Sequence, residues 1–210
     1  MKLYSYFRSS AAYRLRIALN LKGLEYEYIP VNLLKGENRR DNYLALNAQG
    51  LVPAMELPGG STLGQSIALI EWLEDTHPMP PLLPESPLAR ARVRSMVNNI
   101  TCDIHPICNL SVTNYLKEHF SANQEDIVKW YIAWMHRGFS AIEQVLADNN
   151  SRYCFGDEPG FADLCLVPQV YNARRFDIPL GDFPNITRVV DNCNGLAAFT
   201  DAAPERQPDG

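Results

Sequence analysis

The sequence predicts two domains of different class, an α/β domain followed by an all-helical domain. Over residues 1–77, segments in which apolar residues alternate as in a strand are interspersed with segments of helical spacing. From residue 88 onward only helical spacing recurs. Five prolines fall within residues 78–87, and a run of this composition cannot form a helix. We therefore expect the domains at residues 1–77 and 88–210, joined by a stiff proline-rich linker at residues 78–87.

The first domain is expected to have the element order of a thioredoxin-like unit. A strand, a helix that ends at Gly23 and a second strand make a right-handed parallel crossover. Pro58-Gly59-Gly60 forms a turn between two further strands, and Pro53 at the start of one of them admits a cis bond after Val52. In order, strands are expected at residues 2–7, 26–31, 51–57 and 61–63, and helices at residues 11–22, within 35–47 and at 65–76.

The second domain is expected to consist of four long helices and a loose tail. Gly160 stands at the cap of one helix, where the Asp163 side chain can bond back to its backbone N–H. This pattern predicts a structural role for Asp163, not a catalytic one. The helices are expected at residues 89–115, 123–148, 161–176 and 186–199, and the tail at residues 204–210.

Composition and charge limit the partners that the chain can bind. The net charge of −5 over 210 residues gives no overall attraction for nucleic acid or for an anionic membrane surface. The sequence shows no signal-peptide pattern and no membrane-spanning apolar run, so we expect a cytoplasmic protein. Its five cysteines include no C-x-x-C pair, which argues against a disulfide framework or a zinc site and favours reduced core thiols.

The most informative motif is Arg8-Ser9-Ser10, which joins the first strand directly to the first helix. The unpaired N–H groups in the first turn of a helix, together with the aligned peptide dipoles, attract an anion. Serine hydroxyls can donate hydrogen bonds to the same anion. The turn is therefore a candidate binding site for an anionic group, and a thiolate is such a group.

Five separated motifs of the chain stand in an order and spacing that identify a family. They are Arg8-Ser9-Ser10 with Arg14-Leu15-Arg16-Ile17-Ala18-Leu19, Leu51-Val52-Pro53, Gln65-Ser66, Asn109-Leu110-Ser111, and the run at residues 162–170. Together they resemble the zeta-class glutathione transferases, which include maleylacetoacetate and maleylpyruvate isomerases. The resemblance implies the glutathione transferase fold, glutathione as cofactor, and cis–trans isomerisation of a maleyl diacid, usually within a homodimer.

The chain departs from the family pattern at Ala11, where that pattern has cysteine. Any thiol chemistry must therefore come from glutathione, whose thiol titrates near ~8.5 when unperturbed and must be stabilised as the thiolate. Ser9 is our first choice for this contact and Ser10 the alternative, and we expect the other serine to cap the helix. A cap alone is the plainer interpretation of either serine.

The resemblance places the rest of glutathione on two further segments. Val52-Pro53 would leave the backbone groups of Val52 free to bind the cysteinyl part, since proline cannot extend regular pairing. Gln65-Ser66 opens a helix whose first N–H groups suit the γ-glutamyl carboxylate. The alternatives are an ordinary strand start and an ordinary helix start.

Two arginines are candidates for the carboxylates of a diacid substrate. Arg8 ends the first strand beside the serines, and Arg175 occupies the position of the cation in the family pattern. Arg174 points about 100° away from Arg175 on the same helix and is explained as a solvated residue. Arg8 as an ordinary surface arginine is the alternative.

The helical domain supplies further candidates for glutathione contact. His105 is one, although a lone histidine is more often structural. Asn109-Leu110-Ser111 is the other, from the same subunit or from a partner.

The activity predicted from these residues is glutathione-dependent isomerisation of a maleyl keto-diacid, with either maleylpyruvate or maleylacetoacetate as substrate. Two other functions stay open at this point. One is a transferase that conjugates glutathione to small electrophiles, and the other is a non-catalytic interaction domain of the same fold. Retention of the predicted glutathione contacts argues against the second, and two arginines that suit an acidic substrate argue against the first.

Overall fold

The computed structural model describes residues 1–149 and 151–210. The chain divides into two compact units, one formed by Met1–Leu82 with Gly195–Gly210 and the other by Leu83–Asn194. The break after Leu82 lies inside the predicted linker. Residues 195–210, which we expected within the helical domain, instead pack with the first unit.

The first unit has the predicted order of strands and helices. Gly23 ends the first helix with a φ of +64°, where the Leu24 N–H donates to the Leu19 carbonyl at 2.9 Å. This is the left-handed conformation that glycine adopts without steric cost. The strands are β1 (Lys2–Ser5), β2 (Glu27–Pro30), β3 (Ala54–Glu56) and β4 (Thr62–Gly64), and the helices are α1 (Ser10–Leu21), α2 (Asp41–Leu46) and α3 (Ser66–Thr76).

The four strands form one mixed sheet in the order β2-β1-β3-β4. β1 pairs parallel to β2, as the predicted crossover requires, and antiparallel to β3, which in turn pairs antiparallel to β4. Leu3 in β1 is opposite Met55 in β3, and both side chains are fully buried. α1 and α3 pack against each other. The apolar residues of these short strands and two helices therefore build the core of this unit.

The second unit is helical, as predicted, but the first of its predicted helices is divided. The expected helix at 89–115 is wrong as a single element, because a π-helical stretch at Asn99–Ile104 and a turn interrupt it. Pro106 lies in that turn, where it has no N–H to continue the helical hydrogen bonds. The helices are α4 (Pro87–Asn98), α5 (Leu110–Phe120), α6 (Gln124–Ala147), α7 (Phe161–Arg175) and α8 (Pro184–Asn194).

The start of α7 confirms the structural role of Asp163. One carboxylate oxygen accepts from the Gly160 N–H and the other from the Cys154 N–H, both at 2.9 Å. Burial raises the pKa of Asp163, and these backbone donors act in the opposite direction. The side chain is 2% exposed and serves the helix cap.

Residues 195–210 are ordered against the first unit, so the expected loose tail is wrong. The predicted helix at 186–199 ends at Asn194, and a separate short helix, α9 (Ala197–Thr200), follows Gly195. Phe199 is fully buried, and the Asp209 carboxylate accepts hydrogen bonds from the first unit. In the part of the chain that the structure describes, no helix is both long and apolar enough to span a membrane.

Candidate active site

Three of the segments predicted for the site meet at one edge of the sheet. Tyr4 near the end of β1 is opposite Ala54 at the start of β3, and Ala54 is opposite Gly64 at the end of β4. The chain that leaves β1, the chain that enters β3 and the chain that leaves β4 therefore lie side by side. These are residues 8–11, 52–53 and 65–66.

Ser9 caps α1 with its side chain. Its backbone is extended, with φ −69° and ψ 113°, and its hydroxyl oxygen accepts the Ala12 N–H at 3.2 Å. A serine hydroxyl that accepts one hydrogen bond can still donate its own hydrogen. Capping the helix and donating to a thiolate are therefore compatible roles for Ser9. Ser10, the first residue of the helix, is 8% exposed, and its hydroxyl has no hydrogen-bond partner within residues 1–149 and 151–210.

The first turn of α1 leaves two backbone donors for a ligand. The Ser9 N–H is used by the Tyr6 carbonyl at 2.9 Å, and the Ala12 N–H by Ser9 itself. The N–H groups of Ser10 and Ala11 have no acceptor among the described residues. No acidic side chain lies in this turn. An anion here would gain two N–H donors and the helix dipole without meeting an acidic side chain of the same turn.

Val52 precedes the paired part of β3 and is joined to Pro53 by a cis peptide bond. The carbonyl before it, that of Leu51, accepts from the Tyr43 hydroxyl at 2.7 Å and from the Asn47 amide at 2.8 Å. The N–H and C=O of Val52 itself have no partner in the described part of the chain. These two groups are therefore able to bind an extended peptide as a neighbouring strand would.

Gln65 has an unusual backbone conformation directly before α3. Its φ of 67° and ψ of 113° are sparsely populated for a residue with a side chain, and such a conformation costs roughly 1–3 kcal/mol. Its side chain does not cap α3 and instead donates to Gln49 at 2.8 Å, while Ser66 is buried at the first helical position. No acidic side chain lies in the first turn. The start of α3 is thus a second group of uncapped N–H donors.

The arginines of the prediction differ in their ion pairs. The Arg8 guanidinium lies over the Phe7 ring, 4.8 Å from its centroid, and Arg175 lies over the Phe176 ring at 4.4 Å. Arg174 pairs with Asp191 at 3.3 Å. Arg8 and Arg175 are exposed and have no carboxylate partner among the described residues, so their charges are available to an anionic ligand.

The remaining predicted residues belong to the second unit, where their local roles are visible. His105 follows the π-helical stretch and is half-buried. Its backbone N–H donates to the Ile100 carbonyl at 2.9 Å. Asn109 caps α5, with its side-chain oxygen accepting from the Ser111 N–H at 3.1 Å and from the Ser111 hydroxyl at 3.3 Å. Leu110 is exposed. A ligand contact for any of these residues stays a prediction.

Arg16 is a residue next to the site that the sequence reasoning did not single out. It is fully buried in α1, and its Nη2 donates to the Phe7 carbonyl at 3.0 Å. Phe7 is the residue before Arg8-Ser9-Ser10. The sequence signal for it is an arginine between the apolar residues Leu15 and Ile17 of a helix. A charge in such surroundings needs buried acceptors.

Comparison with known proteins gives a family for both parts of the chain. Residues 8–76 match the family model "Glutathione S-transferase, N-terminal domain", and residues 106–197 match "Glutathione S-transferase, C-terminal domain". A maleylacetoacetate isomerase from Pseudomonas aeruginosa is 48% identical, with 100% of this chain and 98% of the relative covered.

Two solved structures are also similar. The holo structure of a maleylpyruvate isomerase, described as a bacterial zeta-class glutathione S-transferase, has a TM-score of 0.98 and 48% identity, with both chains fully covered. A maleylacetoacetate isomerase from Methylobacterium extorquens, solved with bound malonate and GSH, has a TM-score of 0.95 and 37% identity, covering 99% of this chain and 98% of that one.

Proposed function

Because this chain belongs to the zeta class of the glutathione S-transferase family, we propose that it is a glutathione-dependent cis–trans isomerase of a maleyl keto-diacid. The substrate is maleylpyruvate or maleylacetoacetate, and similar proteins carry both names. The two acids differ only away from the double bond that is isomerised, so the same residues around that bond can serve either substrate.

The residues of the first unit fit glutathione. The tripeptide carries a thiol, an extended backbone and a γ-glutamyl carboxylate. Among the described residues, the matching partners are the free N–H groups of Ser10 and Ala11 at the start of α1, the unpaired backbone groups of Val52, and the uncapped N–H groups at the start of α3. All three lie at the same edge of the sheet. This convergence is the observation that carries the proposal.

The chain's own thiols do not replace the cofactor. All five cysteines lie between residues 102 and 193, none of them in the first unit, and all are free. Burial raises the pKa of the Cys108 thiol to about 12 and that of Cys154 well above its usual range, which leaves both protonated at neutral pH. Ala11 offers only a methyl group at the family's cysteine position. The nucleophilic thiolate therefore has to come from glutathione.

When bound, glutathione would supply a thiolate for reversible addition to the cis double bond. The electron pair of that bond would move onto the conjugated ketone, so that the bond could rotate as a single bond, and the pair would return as the thiolate leaves. Ser9, with Ser10 as the alternative, donates its hydroxyl hydrogen to the sulfur whenever the sulfur is anionic, before attack and again on departure. The Ser10 and Ala11 N–H groups add to the same stabilisation. Since the thiolate is already formed, no residue has to act as a general base.

Arg8 and Arg175 hold the two carboxylates of the diacid. Their guanidinium groups have no carboxylate partner among the residues described, and the planar fork of arginine suits a carboxylate. Malonate, the ligand in the structure from Methylobacterium extorquens, is also a dicarboxylate. Both observations support an acidic substrate over an apolar electrophile.

Assembly as a homodimer and a cytoplasmic location are further parts of this proposal. The five free cysteines, four of them buried, support a reducing compartment. The family resemblance supports the homodimer. Light scattering of the purified protein at several concentrations measures the subunit number directly, and a monomer at every concentration would remove the dimer from the proposal.

The test of the function is an isomerisation assay with both cis acids, in protein freed of glutathione by dialysis and again after glutathione is added back. We expect no turnover without the thiol, full turnover with it, and unchanged total glutathione at the end, because a cofactor is not consumed. Turnover without any thiol contradicts the cofactor role. Stoichiometric loss of glutathione into an adduct would show the conjugating transferase instead.

A further inference from the structure

Residues 195–210 are remote in sequence from the Arg8-Ser9-Ser10 turn, yet they pack on the helix that this turn begins. Phe199 and Ala202 are fully buried. The Tyr13 hydroxyl of α1 donates to the Phe199 carbonyl at 3.1 Å, and the Asn20 amide donates to the Ala198 carbonyl at 3.1 Å. The segment is therefore fixed to α1 both by apolar burial and by hydrogen bonds.

Arg16 connects this segment to the residue before the turn. Its Nε donates to the Ala202 carbonyl at 2.9 Å, and its Nη2 donates to the Phe7 carbonyl at 3.0 Å. Its Nη1 donates to the Ser5 hydroxyl at 3.1 Å. Because the guanidinium is planar and rigid, it fixes these three acceptors relative to one another.

Asp209 binds Phe7, the residue before the turn, through the N–H of its backbone. One carboxylate oxygen accepts from the Phe7 N–H at 3.2 Å, and the other accepts from the Tyr28 hydroxyl of β2 at 2.6 Å. Burial lowers the pKa of Arg16, and the charge of Asp209 acts in the opposite direction. Both peptide groups of Phe7 are thus held, the N–H by Asp209 and the C=O by Arg16.

We propose that Asp209 is a positioning residue for the thiolate-binding turn, acting through the Phe7 backbone. This inference rests on the proposed function. Ser9 follows Phe7 by two residues, and its N–H closes the turn onto the Tyr6 carbonyl. A shift of the Phe7 peptide therefore turns the Ser9 hydroxyl and the first N–H groups of α1 away from the sulfur. Hydrogen bonds weaken steeply as they lose alignment, and donors stabilise an anion best when they are fixed in advance.

Arg8 is subject to the same restraint. Its guanidinium rests on the Phe7 ring, 4.8 Å from the centroid, so the ring has to stay in place for the cation to stay in place. One anchored residue thus sets both the donors for the thiolate and a cation proposed for the substrate. This makes Phe7 the residue through which a change at Asp209 reaches the chemistry.

The experiment compares Asp209→Ala with Asp201→Ala. Asp201 is exposed on the same segment, its replacement removes the same charge, and its side chain has no hydrogen bond among the described residues. The readouts are the pKa of the bound glutathione thiol, from ultraviolet thiolate absorbance, and the pH profile of kcat/KM. For Asp209→Ala we expect the thiol pKa to rise by about one unit, with the rising limb of the profile moved to higher pH by the same amount. Loss of the Asp209 charge alone would instead lower the pKa of a nearby thiol, so a rise reports the loss of positioning and not the loss of charge. Asp201→Ala should match the unmodified protein.

Thermal unfolding of each variant separates positioning from folding, because a purely structural role lowers Tm without moving the pKa of the bound thiol. Asp209→Asn keeps the side-chain shape and one acceptor oxygen, so it serves if the alanine variant does not fold, and we expect a smaller shift in the same direction. An unshifted thiol pKa in the folded Asp209 variants overturns the inference even if Tm falls. Glutathione-independent turnover by the unmodified protein overturns the proposed function instead, so the two failures are distinguishable.

Discussion

Replacing Ser9 with alanine should affect stability and thiol chemistry separately. The hydroxyl accepts the Ala12 N–H at 3.2 Å, at the long end of the normal range, so loss of this cap should cost about 1 kcal/mol. For a chain of this size that corresponds to a fall in Tm of about 2–4 °C. Nine of the 12 residues of α1 are buried, which keeps the helix folded without its cap. The variant should therefore fold and remain measurable.

The effect on the thiol follows from the second hydrogen bond of the same hydroxyl. A hydrogen bond to a charged group is worth roughly 1.5–3 kcal/mol, which corresponds to about one to two pKa units. The N–H groups of Ser10 and Ala11 remain in the variant, so the lower value is expected. The pKa of bound glutathione should rise by about one unit in Ser9→Ala, and because the thiolate is the reactive form, turnover at neutral pH should fall by up to about tenfold.

The assay is an ultraviolet titration of the bound thiol, with Ser9→Thr and Ser10→Ala as matched variants. Ser9→Thr keeps a hydroxyl in the capping position and should restore both Tm and thiol pKa. Ser10→Ala removes a hydroxyl that has no cap to lose, so it should leave Tm nearly unchanged. If Ser9→Ala lowered Tm but left the thiol pKa alone, while Ser10→Ala raised the thiol pKa, the assignment to Ser9 would be refuted and Ser10 would be the thiolate partner.

The remaining predictions concern the arginines proposed for the substrate and the burial of Cys108. Arg8→Met and Arg175→Met should each lower kcat/KM for the diacid. If the substrate carboxylate is left buried and unpaired, the loss in transition-state binding is roughly 2–5 kcal/mol, about 30-fold at the low end. The ion-paired Arg174→Met should lie within a few-fold of the parent, and normal turnover by both Arg8→Met and Arg175→Met would contradict the carboxylate assignment. Burial raises the pKa of Cys108 to about 12 from an ordinary value of 9.0, so its contribution to stability is complete below pH 9 and is lost as pH rises from 9 towards 12. Iodoacetamide under mildly alkaline native conditions should label Cys102 and spare Cys108 until the protein is unfolded, as mass spectrometry would show, and equal labelling of the two would contradict this burial.

The sequence predicts the first unit well because its signals are local. Each strand and helix there is short, and Gly23, Pro53 and the Pro58-Gly59-Gly60 turn mark where elements end. The meeting of three segments at the sheet edge does not follow from local pattern. It follows from the pairing of Tyr4 with Ala54 and of Ala54 with Gly64, which the element order implies only once the topology is assumed.

Two errors in the helical part have different causes. The turn at residues 105–108 has a local signal in Pro106, which cannot donate a backbone N–H, but the amphipathic pattern on either side of it favours one long helix. The placement of residues 195–210 has no local signal. It depends on acceptors such as the Ala202 carbonyl meeting a donor on Arg16, 186 residues away in sequence. The π-helical stretch at Asn99–Ile104 and the unusual φ of Gln65 likewise have no local sequence signal.

If the proposed function holds, there is a chemical reason for neutral donors, and not a cation, to surround the thiolate. A thiol reacts fastest when its pKa is near the ambient pH, because a lower pKa raises the thiolate fraction but reduces its nucleophilicity. A hydroxyl and two backbone N–H groups, assisted by a helix dipole, lower the pKa moderately. A guanidinium in direct contact with the sulfur would lower it further and make the sulfur a weaker nucleophile. Arg8 lies over the Phe7 ring with no acidic partner among the residues described, so its full charge is available to the diacid while the neutral donors of the turn act on the sulfur.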